Sequence, residues 1–247
     1  MKIDINQFLK PCSCGKKHKI LVDDIIIESG AINKLPEILK RERFADKKNI
    51  VMVCDENTYE VAGKQLEKLL SGIKKVVLNP ENLHANEHGV ALCEEGLTAA
   101  GEVDLMIAVG SGTVHDITRY HAYNKKIDFI SVPTAASVDG FVSTVAAMTW
   151  KGCKVSITAC SPVIVVADTD IFKNAPLRLT ASGVSDLLGK YTALADWKIA
   201  HILTGEYICE EICEMEYKAL DSLKESLSGL TKKSTESYEA LMYGLLL

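Results

Sequence analysis

The sequence predicts an α/β protein in which a mostly parallel sheet domain precedes a purely helical one. Short apolar, β-branched runs alternate with amphipathic segments as far as residue 168, the pattern of parallel strands joined by crossover helices. Beyond Pro176 the apolar residues recur only at helical spacing, which predicts helices alone. Small, hydroxyl-bearing residues follow two of the apolar runs abruptly, at the sheet edge where ligands bind in such folds.

Six apolar runs are the predicted strands. In chain order they are Asp24 to Ile27, Asn49 to Cys54, Lys75 to Leu78, Asp104 to Val109, Asp128 to Val132 and Val163 to Ala167. Four amphipathic segments between them are predicted helices: Ile32 to Arg41, Thr58 to Leu70, His88 to Ala100 and Val114 to Tyr123. Right-handed crossovers between such strands give a mostly parallel sheet.

The remaining elements are a hairpin and three helices. A β-hairpin is predicted from Thr144 to Thr149 and Lys154 to Thr158, which Lys151-Gly152 separates. It is expected to project over the lip of the ligand-binding crevice at the carboxyl edge of the sheet. The predicted helices are Ser182 to Ile202, Glu206 to Ser226 and Ser234 to Leu247. The change of pattern near Pro176 places a domain boundary at about residue 171. The chain stops at Leu245-Leu246-Leu247 without a helix cap, so we expect a piece of a longer protein.

Composition narrows the class of protein. The 247 residues carry 28 basic and 33 acidic side chains, a net charge of -5, which argues against a nucleic-acid partner. No apolar run approaches the roughly 18 residues of a membrane span, and the start lacks the order of a secretory signal. We expect a cytoplasmic protein that acts on a small molecule, with neither membrane nor nucleic acid as partner.

The eight cysteines are expected to be reduced thiols, because nothing indicates export. Cys12-Ser13-Cys14 with His18 nearby could ligate a metal, but the spacing fits no standard zinc module. A surface turn is therefore favoured. Cys209 and Cys213 share a helix face, which burial explains without any chemistry.

Two polar segments carry the functional prediction. The glycine loop is Gly110-Ser111-Gly112-Thr113-Val114-His115-Asp116, and the second polar loop is Pro133-Thr134-Ala135-Ala136-Ser137-Val138-Asp139-Gly140. Glycines let a ligand approach the backbone, and the N–H groups of the following helix start can hold phosphate oxygens. The two loops predict a nucleotide-binding enzyme.

The match to a dinucleotide fingerprint is incomplete, because His115 replaces the usual third glycine. The best acidic candidate for the ribose, Asp55, precedes the loop instead of following it. Asp55 could reach an adenosine ribose if its strand neighbours the glycine-loop strand, or it could cap the segment that opens at Glu56. Both interpretations stay open.

Asp186 is a carboxylate on a segment expected to be largely buried, and a buried carboxylate needs a partner. An ion pair with Lys190, one helical turn away, is the interpretation that the sequence alone favours.

Together these segments resemble the sn-glycerol-1-phosphate dehydrogenase family, within the superfamily of iron-dependent alcohol dehydrogenases, glycerol dehydrogenase and dehydroquinate synthase. The resemblance runs from about Cys12 to the end of the chain. It rests on the two loops and on Ser182-Gly183-Val184-Ser185-Asp186-Leu187-Leu188-Gly189-Lys190-Tyr191-Thr192, with Cys12-Ser13-Cys14-Gly15 as in the bacterial branch.

The resemblance implies a Rossmann-like nucleotide-binding domain over residues 1–170 and a helical metal and substrate domain, incomplete here, over 171–247. It implies interconversion of dihydroxyacetone phosphate and sn-glycerol 1-phosphate with NAD or NADP and with zinc or nickel, rather than iron. It also implies a homodimer or higher homo-oligomer. Two alternatives are a glycerol or other alcohol dehydrogenase and a catalytically inactive nucleotide-binding protein.

The resemblance also assigns roles to residues. Asp186 would be catalytic, bind the metal and lie against the substrate, and Asp139 would be catalytic and bind substrate hydroxyls. The implied cofactor-binding residues are Asp55, Gly110, Ser111, Gly112, Thr113, Val114, Asp116, Thr134, Ser137 and Ser143. A carboxylate at Asp55 favours NAD, because it would repel the 2′-phosphate of NADP.

One departure from the family concerns the metal. Two histidines complete the metal site in the family, but this sequence has no histidine after His201, which matches neither position. One carboxylate cannot hold a catalytic metal with useful affinity. The sequence is therefore expected to be a fragment of a longer enzyme, whose continuation brings the two histidines, or a chain that has lost the chemistry.

Overall fold

The computed structural model describes residues 3–247 and contains the predicted parallel sheet. The strands are β1 (Asp24–Glu28), β2 (Ile50–Asp55), β3 (Lys74–Leu78), β4 (Leu105–Gly110), β5 (Asp128–Pro133), β6 (Val145–Trp150), β7 (Cys153–Thr158) and β8 (Ile164–Asp168). Six of them form one sheet in the order β1-β8-β5-β4-β2-β3, and every pair is parallel. The predicted fold class is confirmed.

The order of the strands places the two polar loops next to each other. β4 is buried along its whole length, with β2 on one side and β5 on the other. In the β4–β5 register Gly110 lies opposite Pro133, so the glycine loop and the second polar loop leave the sheet at the same level. Thr134 N–H donates to the Gly110 carbonyl at 2.9 Å and joins their starts.

Ten α-helical segments accompany the strands within residues 3–247. They are α1 (Leu35–Ile38), α2 (Glu56–Thr58), α3 (Lys64–Leu69), α4 (Glu87–Ala100), α5 (Gly112–Lys125), α6 (Thr169–Phe172), α7 (Leu177–Leu188), α8 (Lys190–Thr204), α9 (Glu210–Leu230) and α10 (Thr235–Leu246). A π-helical turn, Tyr59–Gly63, joins α2 to α3. None of the helices in this part of the chain is long and apolar enough to cross a bilayer.

Four predicted helices are divided or begin later in the structure, and one of them, Thr58 to Leu70, is divided by the π-helical turn that precedes α3. The segment 32–41 is a 3₁₀ turn followed by the four residues of α1, because Pro36 has no N–H to donate to Ile32. The predicted helix Ser182 to Ile202 is two helices, α7 and α8, that meet at Gly189, a residue of low helix propensity. α9 begins at Glu210 rather than Glu206, after Gly205 in the left-handed conformation.

The helical part packs on the β1 side of the sheet. Leu187, Leu220 and Leu241 lie in one hydrophobic cluster with Ile27 of β1. The last strand ends at Asp168 and only helices follow. A division into two domains near residue 171 stays a prediction.

The predicted hairpin is present, with β6 and β7 antiparallel around Lys151-Gly152. Its Ala146 and Met148 are buried against Val90 and Tyr120. The hairpin therefore packs beside α4 and α5.

Candidate functional site

A cleft of about 1260 Å³ opens at the carboxyl edge of the sheet. It is large for a small-ligand pocket and lies where ligands bind in open parallel sheets. The ends of β2, β5 and β8 and the starts of α5 and α7 supply its walls; among the lining residues are Asp55, Thr58, Ser111, Thr113, Thr134, Ala135, Asp168 and Arg178. No residue of the β6–β7 hairpin lines it among residues 3–247.

The glycine loop turns β4 directly into α5. A Cβ at Gly110 would lie 2.6 Å from the Cβ of Val114, so only glycine permits so sharp a turn. Ser111 is the N-cap residue, but its side chain makes no capping hydrogen bond. The first-turn N–H groups of α5 therefore lack a side-chain cap beside the cleft, and an uncapped helix start of this kind can accept an anion.

His115 stabilises the turn from within. Its side chain is 1% exposed; Nδ1–H donates to the Ser111 carbonyl at 3.0 Å and Nε2 lies 2.7 Å from Ser131 Oγ. Burial lowers the pKa of this imidazole to about 3, so it is neutral. This packing and hydrogen bonding explain why a histidine can occupy the position of the missing third glycine.

Arg119 joins α5 to the segment after the second polar loop. The fully buried guanidinium donates from Nη1 to the Val145 carbonyl at 2.7 Å and from Nη2 to the Gly140 and Phe141 carbonyls at 2.6 and 3.0 Å. Asp116 Oδ1 lies 3.7 Å from Nη1. Burial raises the pKa of Asp116 to about 6 despite that cation.

Asp55 caps the helical segment that follows β2. Its Oδ1 accepts the Thr58 N–H at 2.8 Å, and Thr58 Oγ1 accepts the Asp55 N–H at 3.0 Å. The helix-cap interpretation is confirmed. The carboxylate also lines the cleft, on a strand that pairs with the glycine-loop strand, which is the condition that the ribose interpretation required.

Asp139, Asp186 and Lys190 form a polar group between the second polar loop and the helical part. Asp186 Oδ2 accepts the backbone N–H of Asp139 at 2.8 Å, while Lys190 Nζ lies 2.6 Å from Asp139 Oδ2. The expected Asp186–Lys190 ion pair is therefore wrong, because the break at Gly189 puts the two residues on different helices. Burial raises the pKa of Asp186.

A close backbone contact sets the position of Asp186. A Cβ at Gly183 would lie 2.1 Å from the Ala136 carbonyl oxygen and 3.2 Å from Leu245 Cδ1. Glycine at this position lets α7 rest directly on the second polar loop. Asp186, one helical turn further on, then reaches the N–H of Asp139.

The donors around Asp186 do not fit a bound catalytic metal by themselves. Catalytic zinc sites usually have three protein ligands. Within residues 3–247 no three histidine, cysteine or carboxylate side chains that include Asp186 come close enough to share an ion. Next to Asp186 lies the Asp139 carboxylate, which Lys190 engages, and the described residues add no third ligand.

The cleft brings together some of the predicted cofactor residues and not others. Asp55, Ser111, Thr113 and Thr134 line it, and Gly110, Gly112 and Val114 belong to the turn that forms its edge. Ser137, Asp139, Ser143, Asp116 and Asp186 are not among its lining residues. Ser143 Oγ is instead engaged with the backbone of Val145 at 3.1 Å.

Sequence reasoning missed two features. Arg178, in the first turn of α7, is the one lysine or arginine that lines the cleft in the described part of the chain; its place just after Pro176 was a usable signal. Cys12, Cys14 and His18 lie together with Cys209, their four ligand atoms within 4.8 Å of one another. No local spacing could indicate the fourth member.

Fold and site together define a parallel α/β protein with an uncapped helix start beside a cleft at its carboxyl edge. The sequence model of the iron-containing alcohol dehydrogenase family matches residues 26–176. The chain belongs to this family.

Curated relatives agree with that assignment, and a solved structure has the same fold. The protein named glycerol-1-phosphate dehydrogenase [NAD(P)+] from Bacillus licheniformis is 36% identical to this chain, over 98% of this chain and 61% of the relative. The protein of the same name from Pyrococcus furiosus is also 36% identical, over 76% of this chain and 53% of the relative. The chain spans about 60% of the length of the Bacillus relative. The structure of glycerol dehydrogenase from Schizosaccharomyces pombe has a TM-score of 0.71 at 19% identity, over 93% of this chain and 60% of that one. It shows the shared fold.

Proposed function

We propose that the protein containing this chain is an NAD(P)-dependent glycerol-1-phosphate dehydrogenase. Hydride would pass between the nicotinamide and the carbonyl carbon of dihydroxyacetone phosphate, and the resulting alkoxide would take a proton to give sn-glycerol 1-phosphate. The observation that carries the proposal is the 36% identity to the Bacillus licheniformis enzyme over 98% of this chain, which includes both polar loops.

The cofactor is proposed to lie in the cleft, with its pyrophosphate at the start of α5. The uncapped N–H groups of that helix carry partial positive charge, and Gly112 leaves room for close approach of the phosphate oxygens. Thr113 and Thr134, which line the cleft, offer hydroxyl groups. Arg178 adds the cation that a phosphate group of the cofactor or of the substrate would meet.

Asp55 is proposed to select NAD over NADP. Its Oδ1 serves as a helix cap, and one carboxylate oxygen suffices for a cap, so Oδ2 can accept from the ribose hydroxyls. The charge on this carboxylate would repel a 2′-phosphate.

Asp139 is proposed to bind the hydroxyl groups of the substrate. Lys190 Nζ lies 2.6 Å from its carboxylate and orients it, and the hydrogen bond from the Asp139 N–H to Asp186 fixes the backbone. A zinc or nickel ion bound by Asp186 would need its other ligands from outside residues 3–247.

The test is an assay of the whole protein that contains this chain, with NADH and dihydroxyacetone phosphate and with Zn²⁺ or Ni²⁺ added. We expect NADH consumption that Asp186→Ala abolishes while NADH binding persists. Absence of consumption with every phosphorylated triose contradicts the proposal.

The second candidate, a glycerol or other alcohol dehydrogenase, is favoured by the shared fold with the Schizosaccharomyces pombe enzyme. The two candidates differ in their need for the substrate phosphate. Comparable kcat/KM for dihydroxyacetone and its phosphate supports the second, whereas a large preference for the phosphate supports the first. Arg178→Gln then lowers kcat/KM for the phosphorylated substrate more than for the free triose if Arg178 contacts the substrate phosphate.

We also propose that the protein is a homodimer and that it is located in the cytoplasm. Light scattering of the purified protein measures its oligomeric state, and fractionation of cells measures its location. A monomer at all concentrations contradicts the first part.

A further inference from the structure

The N-terminal segment meets the start of α9 in a cluster of three thiols and one imidazole. Cys12, Cys14 and His18 come from a stretch without helix or strand, and Cys209 is the N-cap residue of α9. Cys12 and Cys209 are 197 residues apart in sequence, yet their sulfur atoms are 3.4 Å apart. The cluster lies apart from the cleft, whose lining includes none of its four residues.

We propose that these four side chains bind a structural zinc ion. Three thiolates and one imidazole are a common ligand set of structural zinc, bound tetrahedrally at about 2.3 Å from sulfur and 2.0–2.1 Å from nitrogen. Those bond lengths put two sulfur ligands about 3.8 Å apart and a sulfur and a nitrogen about 3.5 Å apart.

The observed distances agree with that geometry. His18 Nε2 lies 3.4 Å from Cys14 Sγ and 3.7 Å from Cys209 Sγ. With the 3.4 Å between the Cys12 and Cys209 sulfurs, three edges of the tetrahedron are close to their expected lengths. The Cys12–Cys209 separation would have to lengthen by only about 0.4 Å to reach the value expected for two zinc-bound sulfurs.

The neighbouring groups suit a thiolate cluster. Tyr207 O–H donates to Cys14 Sγ at 3.0 Å, and the Lys16 N–H donates to the same sulfur at 3.4 Å. Such hydrogen bonds orient metal ligands. Lys16 Nζ lies 3.6 Å from the centre of the Tyr207 ring, which adds positive charge beside a zinc–tris-thiolate site of net charge -1.

The turn that carries Cys12 and Cys14 also has a defined conformation. Gly15 has φ +76, which favours glycine, and its N–H donates to the Cys12 carbonyl at 3.1 Å. Ser13 N–H donates to Glu211 Oε1 in the first turn of α9 at 2.8 Å. The turn is thus fixed on the helix start whose N-cap residue supplies the fourth ligand.

The proposed ion would hold the irregular N-terminal segment on the helical part. Binding takes thiolates and releases the thiol protons to solvent, with no change in oxidation state. Because the ligands are far apart in the chain, the site forms only in the folded protein, and the free energy of metal binding adds directly to the free energy of folding.

The first measurement is the zinc content of the unmodified chain, purified under reducing conditions and dialysed against metal-free buffer. We expect about one zinc ion per chain. Replacing zinc by Co²⁺ should produce a thiolate-to-cobalt charge-transfer band and the visible bands of tetrahedral cobalt. Neither measurement depends on whether a variant folds.

Variants then locate the ion. Cys14→Ser and His18→Ala should each lower zinc affinity at least tenfold. Cys153→Ser, at an exposed thiol on the hairpin, and His201→Ala, at an exposed imidazole, are the matched controls and should retain the ion. Asp186→Ala should retain it too, which separates this site from any metal at Asp186.

Three results would overturn the proposal. One is an unmodified chain without zinc in which added Zn²⁺ or Co²⁺ does not bind. Another is a disulfide between Cys12 and Cys209 that persists under reducing purification and accounts for their proximity. The third is loss of the ion in Asp186→Ala with retention in Cys14→Ser. These results are independent of glycerol-1-phosphate dehydrogenase activity, so either proposal can fail alone.

Discussion

Lys190 binds Asp139 and not Asp186, with Nζ 2.6 Å from Asp139 Oδ2. Asp186 instead accepts the backbone N–H of Asp139 at 2.8 Å. Both side chains from the helical part therefore converge on one residue of the second polar loop. The conformation of that loop depends on how the helices dock.

The Gly183–Ala136 contact gives the first prediction. Gly183→Ala places a methyl group 2.1 Å from the Ala136 carbonyl oxygen, so α7 must move away from the second polar loop. We expect a loss of about 1–3 kcal/mol in the free energy of unfolding, measured by denaturant titration. Ser185→Ala, at an exposed position of the same helix, is the control and should change stability by less than about 0.5 kcal/mol. Equal stability of the two variants contradicts the contact.

Arg119 gives the second prediction. Arg119→Lys keeps the charge, but one ammonium group cannot reproduce the fork that serves three carbonyl oxygens. We expect a loss of about 3 kcal/mol and faster hydrogen exchange in β6. Arg41→Lys, a partly exposed arginine paired with Asp24 at 2.9 Å, should cost under about 1 kcal/mol. A similar small loss in Arg119→Lys would mean that the fork does not stabilise this segment.

His115 and Asp116 give a pH prediction. The pKa of His115 is lowered to about 3 in the folded chain, so between pH 3 and about 6.5 the unfolded chain binds one more proton. The contribution of neutral His115 to the free energy of unfolding is therefore complete above about pH 6.5 and is lost as the pH falls from about 6.5 toward 3.

Asp116 acts in the opposite direction. Its pKa is raised to about 6, so between about pH 4 and 6 the folded chain binds the extra proton, and stability falls as pH rises. The two effects offset each other in the unmodified chain. In His115→Asn the slope of unfolding free energy against pH between 4 and 6 should drop by about 1.4 kcal/mol per pH unit relative to the unmodified chain. Parallel curves for the two proteins refute the assignment.

Asp55 gives a prediction about cofactor choice. Asp55→Ser removes the charge but retains a side chain that can cap the helix, so stability should hold within about 0.5 kcal/mol. The NADPH-to-NADH affinity ratio should rise at least tenfold, measured by fluorescence titration. Asp55→Ala is the control: it should shift the same ratio and also lose about 1 kcal/mol of stability. An unchanged ratio in both variants places Asp55 away from the 2′ position.

Local sequence determined much of the fold. The six strands of the sheet lie within one residue of their predicted bounds, because five are buried apolar runs such as Leu105 to Val109 and β3 alternates buried and exposed residues. The neighbouring positions of the two polar loops followed from parallel pairing of β4 and β5. The helix-cap role of Asp55 could also be predicted from the sequence, because a capping residue and its helix are adjacent in the chain.

Long-range geometry accounts for what the sequence could not predict. The partner of Lys190 depends on the break at Gly189 and on the packing of α7 against Ala136. The hairpin was expected over the crevice lip, but buried Ala146 and Met148 hold it beside α4 and α5. The fourth member of the thiol cluster, Cys209, meets Cys12 only through the tertiary fold.

The central claim is that the glycine loop binds a dinucleotide, and calorimetric titration of this chain with NADH tests it most directly. Gly112→Ala adds a methyl group 3.3 Å from Val138 Cγ1, where the phosphate would approach, and Thr98→Ala, exposed on α4, is the control. We expect one NADH site in the unmodified chain and in Thr98→Ala, and binding weaker by about tenfold, or about 1.4 kcal/mol, in Gly112→Ala. Equal affinities in all three, or no binding by the unmodified chain, would contradict the claim.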